Sequence, residues 1–599
     1  MPDRSDTSAA PRTGSPERGA DTSARRLLRH LPTLLVAVAV GGVHLALADP
    51  GPGPRVLADE VGYLADAVQL GTGQVVNMRG TAFYSGGWPL LLAPLARLHG
   101  DDRLGLYHAV VVLQVLLAVL TTVVLVHLVR RVARCGAAAA LAAGAAGGLF
   151  PAYAMHTGLT WSEAALTAAV TVAALATWWL LDSDPGIESS WASAARRGAL
   201  CGAALGGAAI VHRRLLVPVL LVLLVLVAWA LLERRRRSVA IVAATSLVVV
   251  LVGRWLDGHL AATVWSGDTA DLTLGSKARS ITSVHGVVDL ASTASGQVWY
   301  LLVASGGLVG VAVLGALLLA WRGLRPGAGD RTGGGRADDV RSRAWFALSM
   351  VVLLAGLVAV GSAFVSGATA RADYLVYGRY AEVLAPLFVA GGVAWLLTAR
   401  RRDVLGTVAI TVAVTVACWA VVDLGHRAEL DRPLNPLNLA AVVGWIDLPA
   451  ARPLLRGTIW ASAALVAMGV ISVTRWRRHA SAIRVCGVAA IVLALFGWQI
   501  TRIRSDIVDP LHDGAAPYAS MVAAARRLGA TRIAVDPALG RGPVVSLSYR
   551  LPHVEVDLDA AVDHGGACLL VTGAAPPGDE AVAGSGSLRM VRRPAPCAL

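Results

Sequence analysis

An all-α, polytopic membrane protein with a small α/β domain at its C-terminus is the architecture that this sequence predicts, and three observations predict it. Of 599 residues, 56% are hydrophobic and only 15% are charged, with a mean hydropathy of +0.62, whereas soluble domains carry about a quarter charged residues. Apolar runs recur along the chain, and a run of about 20 residues crosses a hydrocarbon core. After residue 500 those runs stop, and short β-rich segments alternate with a helix-like stretch.

In chain order, residues 1–24 are rich in Ser, Thr, Pro, Ala and charge and read as a disordered cytoplasmic tail. The first apolar run follows Arg25, Arg26 and Arg29 and lacks a small-residue cleavage site, so it is expected to remain as a span. Thirteen spans are expected, at 27–48, 107–130, 136–155, 162–181, 198–212, 215–232, 239–257, 297–321, 344–366, 381–398, 403–424, 457–474 and 482–500. The fifth is short and Gly/Ala-rich and reads as half of a broken pair with the sixth.

The net charge of +14 comes almost wholly from arginine, Lys277 being the sole lysine. In a soluble protein this excess would suggest nucleic acid, but no RNA- or DNA-binding motif is visible and the arginines lie between spans. A cytoplasmic N-terminus places Arg130, Arg131 and Arg134, Arg196 and Arg197, Arg234 to Arg237, Arg322 to Arg343, Arg400 to Arg402 and Arg475 to Arg484 in cytoplasmic loops, as the positive-inside rule requires. An odd number of spans then puts the C-terminus outside. The outer segments are a first loop at 49–106, a second at 258–296, a third at 425–456 and the tail from 501.

The tail (501–599) contains a helix-like stretch from Tyr518 to Leu528 and strand-like runs at Arg532-Ile533-Ala534-Val535, Val554-Glu555-Val556 and Leu569-Leu570-Val571. It is sized for an independent unit. The six cysteines have no metal-like CxxC spacing. Cys568 and Cys597 both fall in the tail, where export would allow a disulfide between them.

The chemistry is expected in the first loop. Ala58-Asp59-Glu60-Val61-Gly62-Tyr63-Leu64-Ala65 places two adjacent carboxylates at a membrane boundary, where they must be solvated, paired or used. Asp59 reads either as a helix N-cap or as a base, and Glu60 as a group that tunes Asp59, contacts the acceptor or favours the helix start. Beyond Arg79, the stretch Phe83-Tyr84-Ser85-Gly86-Gly87-Trp88-Pro89-Leu90-Leu91-Leu92-Ala93-Pro94 is too interrupted for a span and suits an interfacial or re-entrant helix.

Elsewhere, Thr160-Trp161-Ser162-Glu163 has the spacing of a capping box, or Glu163 lines a cavity beneath the first loop. His156 reads as an interfacial histidine. Arg213 and Arg214 sit at a short outer turn against the charge rule, as snorkelling residues or as contacts for a lipid phosphate. Lys277, Arg279 and Arg379 are further candidates for that contact, and Tyr374, Tyr377 and Tyr380 read as an aromatic belt or as site residues.

Asp59-Glu60, Tyr63 and Ala65, with Trp88-Pro89-Leu90-Leu91-Leu92-Ala93-Pro94, resemble the first external loop of the GT-C superfamily of glycosyltransferases, of the protein-mannosyltransferase and aminoarabinose-transferase type. The Glu163 region and Tyr377-Gly378-Arg379-Tyr380, followed by Pro386, are also similar to bacterial members. The resemblance covers 25–500 and is specific in the first loop and loose elsewhere. It implies a GT-C-like many-helix fold, a site facing away from the cytoplasm and a sugar donor carried on a polyprenyl phosphate.

The superfamily's catalytic carboxylate maps onto Asp59, beside Glu60. Tyr63, Arg79, Glu163, Arg213, Arg214, Lys277, Arg379 and Tyr380 are then expected around the substrate. The implied acceptor is a glycan, lipid or protein. No cofactor is expected, and a divalent cation at Asp59 or Glu60 is the less favoured alternative.

The absence of a Walker loop, a Rossmann fingerprint and a serine nucleophile elbow argues against a nucleotide-driven pump and fits a donor already activated on lipid. Alanine, glycine, valine and arginine in place of lysine suggest a GC-rich bacterial genome, as in actinobacteria, and hence cell-envelope glycan synthesis in a bacterial cell membrane. The rival readings are a transporter or lipid-linked glycan flippase, which would carry ionisable groups on discontinuous helices near the midplane, and a non-catalytic envelope assembly protein.

Overall fold

The thirteen stretches expected as spans are largely helical, two of them as divided helices. The computed structural model describes residues 18–49, 51, 53–55, 57–182, 191–266, 283–325, 334–366, 371–430, 432, 434–445, 453–474, 480–558, 569–573, 580–585 and 588–592. Within them, ten helices are long and apolar enough to cross a membrane, and four shorter apolar helices accompany them.

The helices are α1 (Arg18–Ala48), α2 (Leu57–Thr72), α3 (Gly87–His99), α4 (Arg103–Val132), α5 (Ala137–Gly148), α6 (Pro151–His156), α7 (Glu163–Leu181), α8 (Trp191–Val211), α9 (Leu216–Leu232) and α10 (Arg236–Thr263). They continue with α11 (Val284–Ala304), α12 (Leu308–Leu324), α13 (Gly334–Val365), α14 (Ala385–Thr398), α15 (Arg401–Gly425), α16 (Pro453–Val473), α17 (Ala480–Ile503), α18 (Asp509–Arg527) and α19 (Gly542–Arg550).

The structure corrects several boundaries. The span expected at 136–155 is two helices, α5 and α6, divided before Pro151, which opens the second at its first helical position. The span expected at 297–321 is also divided, because Gly306 and Gly307 adopt φ of 57° and 82° between α11 and α12, a backbone that glycine tolerates and other residues resist. The fifth span is longer than expected, running from Trp191 to Val211. The second outer loop is shorter than 258–296, since α10 extends to Thr263 and α11 begins at Val284.

Contacts sort the helix ends into two faces. On one, Arg134 pairs with Asp339 at 2.6 Å, Arg341 with Glu233 at 3.5 Å and Arg322 with Asp403 through two bonds of 2.8 Å. There too, Ser342 Oγ donates to the Leu181 carbonyl at 2.7 Å and Arg401 Nε to that of Val473 at 2.6 Å. On the other, Gly86 N donates to Asp257 at 2.9 Å, Asn435 N to Asp373 at 3.0 Å and Arg504 Nη2 to Asp49 at 3.1 Å. The first is the arginine-rich face and the second the loop face.

Small residues set the closest helix approach. Gly198, Gly202 and Gly206 recur every fourth residue along α8 and turn one stripe toward α10 (Cβ atoms built on them would lie 2.8 Å from the Ser238 carbonyl oxygen, 2.5 Å from that of Val242 and 2.9 Å from the Val249 side chain). Such stripes let backbones meet where lipid offers no hydrophobic driving force. Gly202→Leu is expected to destabilise the fold by about 2–3 kcal/mol or more through overpacking. Thermal unfolding of the detergent-solubilised protein reads this, and an unchanged midpoint would contradict the packing.

The tail does not start after a break. A π-helical turn at Arg504–Val508 joins α17 to α18, so the last span runs on into the C-terminal domain. There β1 (Arg532–Val535), β2 (Glu555–Leu558), β3 (Leu569–Thr572), β4 (Glu580–Ser585) and β5 (Leu588–Arg592) form one sheet in the order β2-β1-β3-β5-β4. β1 pairs in parallel with β2 and β3, whereas β5 is antiparallel to β3 and β4. Ile533, Val535, Leu569 and Val571 are buried against Met521 and Leu547, which gives the expected α/β domain its core.

The domain docks on the first loop. Tyr549 OH donates to the Arg103 carbonyl at 3.2 Å, Arg550 Nη2 to that of Pro54 at 2.8 Å, and His553 lies 3.0 Å from Asp101. Cys568 and Cys597 lie outside the described residues.

Candidate active site

Four segments converge on the loop face beneath the first loop: the start of α2, the turn before α7, the turn between α8 and α9, and the stretch from Tyr377 to Glu382 before α14. Asp59 lies in the first turn of α2, two residues past its start, so it is not the helix cap. Its Oδ1 accepts from Tyr84 OH at 2.8 Å, and its Oδ2 accepts from Arg379 Nη1 at 2.6 Å. The side chain keeps 28% of its surface exposed, which leaves a carboxylate edge open to a reactant. Burial, and then the charge of Asp59, hold the Tyr84 phenol well above its usual range, so this group stays a proton donor toward Asp59.

Gly62 makes that contact possible. A Cβ at Gly62 would stand 2.2 Å from the Tyr84 ring, so only glycine lets Tyr84 lie against α2.

Arg379 joins the segments. Its Nε donates to Glu163 Oε1 at 2.7 Å while Nη1 holds Asp59, and its guanidinium lies 3.8 Å from the centre of the Trp161 ring. Burial opposes its charge, but Glu163 and Asp59 outweigh that and raise its pKa well above the usual value. Arg379 is fixed from behind. Glu382 accepts from Tyr300 OH at 2.5 Å and is hydrogen-bonded to His156, while Tyr300 OH accepts from Ala441 N at 3.1 Å. His156 is therefore a buried anchor of this stretch, not an interfacial residue.

Arg214 is different in kind. It is 3% exposed, its Nη1 sits 3.5 Å from Glu163 Oε1, and its guanidinium lies 5.0 Å from the Tyr380 ring centre. None of Nε, Nη1 and Nη2 has a hydrogen-bond partner among the described residues. A buried charged group whose donors are unmet is costly, and an anion reaching it would satisfy them in the bidentate manner typical of guanidinium.

Six of the expected site residues thus come together: Asp59, Tyr63, Glu163, Arg214, Arg379 and Tyr380. Tyr63 shares a 2.8 Å hydrogen bond with Ser162, and Tyr380 packs on Tyr377 with ring centres 4.7 Å apart. Arg213 is at the edge, exposed, with its guanidinium 5.6 Å from the Phe83 ring centre and its backbone N bonded to Ser85 Oγ at 3.2 Å.

Glu60 faces elsewhere. It is fully buried, and its Oε1 accepts from Thr160 N at 2.8 Å while Oε2 accepts from Arg55 N, which fastens α2 to the turn before α7. Arg79 is exposed on a loop, and its carbonyl accepts from Arg541 of the C-terminal domain. Lys277 and Arg279 lie outside the described residues. The capping box expected at Thr160–Glu163 does not form, because Glu60 takes the Thr160 amide and Glu163 takes the arginines. Among the described residues, no group of three or more His, Cys, Asp or Glu side chains is placed to hold a metal ion.

Sequence reading missed Tyr84, Trp161 and Glu382 as site partners, and also Asp66. Asp66 lies two turns beyond Asp59 on α2, is fully buried, and neither carboxyl oxygen has a partner among the described residues. Burial, and then nearby Asp257, raise its pKa well above the usual value. The folded chain holds this proton more tightly than the unfolded one. Its contribution to stability is therefore full below the ordinary carboxylate value of about 4 and is lost as pH rises through the folded value. Asp66→Asn is expected to match wild type near pH 4 and to unfold at a higher temperature at about pH 8, as read by thermal unfolding in detergent. A difference independent of pH would contradict this.

Comparison with known proteins finds no matching family model and no matching curated protein. Among solved structures the chain is similar to ArnT from Cupriavidus metallidurans bound to undecaprenyl phosphate, at 18% identity over 93% of this chain and 97% of that one, with a TM-score of 0.49. It is also similar to the apo state of ArnT from the same organism, at 17% identity over 96% and 98% of the two chains, with a TM-score of 0.47.

Proposed function

We propose that this chain is an integral membrane glycosyltransferase that moves a sugar from a polyprenyl-phosphate donor to an acceptor hydroxyl at the loop face. The observation that carries the reading is the juxtaposition of a part-exposed carboxylate, Asp59, with a buried guanidinium, Arg214, whose donors have no hydrogen-bond partners among the described residues, the two linked through Arg379 and Glu163. The resemblance of the first loop to GT-C enzymes supports the same assignment of Asp59.

In the proposed step the acceptor oxygen attacks the anomeric carbon and forms the new glycosidic bond. Asp59 takes the hydroxyl proton. The bond from the anomeric carbon to the phosphate oxygen breaks, its electron pair leaves with the polyprenyl phosphate, and Arg214, with Arg213 at the rim, meets the charge that develops there. Arg379 positions Asp59 and does not touch the reacting atoms. The loop face is then the outer face, the arginine-rich face is cytoplasmic, and the process served is cell-envelope glycan synthesis.

Incubating the purified full chain with a panel of polyprenyl-phosphate sugars and an acceptor-rich envelope extract tests the reading. Release of polyprenyl phosphate with transfer of labelled sugar is expected for at least one donor, and no release from any donor would overturn it.

A transport reading draws on interrupted spans, of which the break at Gly306–Gly307 departs furthest from helical backbone. Cβ atoms at these glycines would meet Leu495, Met468 and Leu465. Among the described residues the polar side chains at the break, Ser305 and Gln499, are uncharged and bond the local backbone, where a transport pathway is expected to carry ionisable groups.

A further inference from the structure

A second arginine cluster lies apart from the candidate active site, at the seam where the C-terminal domain meets the first loop. A cavity of about 300 Å³ opens there, and its walls include Arg103, Arg526, Arg550, Tyr549 and Asp102. Arg103 and Arg550 are 3% and 7% exposed. Arg103 spends its two terminal nitrogens on Gly100 O and Gln74 Oε1, and Arg550 uses Nη2 on Pro54 O. The Nε of each is buried without a partner among the described residues. Arg526 stands at the opening, with Nη2 3.5 Å from the Arg550 carbonyl.

The carboxylates nearby offset this cluster only in part: Asp101 acts on Arg103 from outside the cavity wall, half exposed and hydrogen-bonded to Gln74 and His553, and Glu60 acts on Arg550 through its charge. Asp102, the acid in the cavity wall, is 67% exposed and caps α4 by accepting from Gly105 N at 2.9 Å. Glu60, which lies behind the seam, is committed to Thr160 and Arg55. Three arginines therefore line one space whose wall holds a single carboxylate, the solvent-exposed Asp102. Burying such charges with incomplete compensation is unfavourable, and burial lowers the pKa of Arg550 from its usual value despite the opposing pull of Tyr549 and Glu60. The geometry points to an oxyanion site of the phosphate class, held between the first loop and the C-terminal domain and independent of the transfer chemistry. Planar guanidinium donors suit tetrahedral oxyanions, and the ligand would clamp the domain onto the membrane region.

The same chemistry could arrive as free phosphate or as the phosphate of a lipid headgroup, and the experiment separates them. Thermal unfolding of the full chain in neutral detergent is followed while inorganic phosphate replaces chloride at constant ionic strength. A saturable rise in midpoint is expected for wild type and for Arg214→Gln, and a binding constant weakened about 10-fold or more is expected for Arg526→Gln. Arg526 is exposed, so this variant keeps its fold where Arg550→Gln loosens the seam.

In nanodiscs of phosphatidylglycerol, a headgroup ligand abolishes the response to added phosphate, whereas a free-phosphate ligand leaves it as in phosphatidylcholine. No saturable rise in detergent, or one unchanged in Arg526→Gln, or one lost in Arg214→Gln alone, would overturn the proposal.

Discussion

Asp59→Asn is expected to lower kcat by about 10²–10⁴-fold, the range typical of removing a positioned general base, with little change in KM for the donor. The isosteric amide removes the proton acceptor and keeps the shape. Tyr84 OH still finds an oxygen, but the amide NH2 then faces Arg379 Nη1, which keeps only its 2.7 Å bond to Glu163, so a stability loss of about 1–3 kcal/mol is expected and activity is compared at a temperature where both proteins are folded. Steady-state transfer assays beside thermal unfolding separate the two effects. Wild-type activity in Asp59→Asn removes this residue from the chemistry, and a loss of stability well beyond that range makes its role structural.

The second large effect is expected at Arg214. Arg214→Gln is expected to raise the donor KM or Kd by about 10–100-fold, the worth of about 1.5–3 kcal/mol for a charge-assisted contact, and Arg214→Lys to restore part of it. The accompanying stability change distinguishes a ligand contact from a structural ion pair. Glu163 retains Arg379 when Arg214 is gone, and the lost guanidinium has no hydrogen-bonded partner in the described structure. The unliganded variant is therefore expected to be as stable as wild type or more so, whereas breaking a true buried pair costs about 3–5 kcal/mol. Donor titration by binding and kinetics, with unfolding in the absence of donor, reads both. A variant that binds donor normally but unfolds early would contradict the assignment.

Much of this arrangement is legible in the sequence because charge is conspicuous against an apolar background. Asp59, Glu163, Arg214 and Arg379 each stand out at a span boundary, where the bilayer makes an unused charge expensive. What the sequence does not carry is their pairing. Arg379 reaches Asp59 across 320 residues and Glu163 across 216, distances over which no local pattern acts. The capping-box spacing at Thr160–Glu163 misleads for the same reason, since Glu60, 100 residues away, takes the amide that the local motif would use.

Other features had a signal. Adjacent residues on a helix project about 100° apart, so Asp59 and Glu60 on α2 were bound to face different surroundings. The Gly306-Gly307 pair is a breaker inside an otherwise apolar run. The strand β4 left almost none, because Ala581 to Ser585 is small and Gly/Ala-rich, without the β-branched or aromatic alternation that marks a strand.

The proposed site is a matter of geometry: the buried guanidinium of Arg214 and the part-exposed carboxylate of Asp59, linked through Arg379 and Glu163, would take a lipid phosphate between them. A cryo-electron microscopy map of the full chain in nanodiscs, saturated with a polyprenyl phosphate, measures this most directly. Phosphate density is expected within hydrogen-bond distance of Arg214, on the side nearest Asp59. Phosphate density confined to another surface, with the Arg214 pocket unchanged, would contradict it.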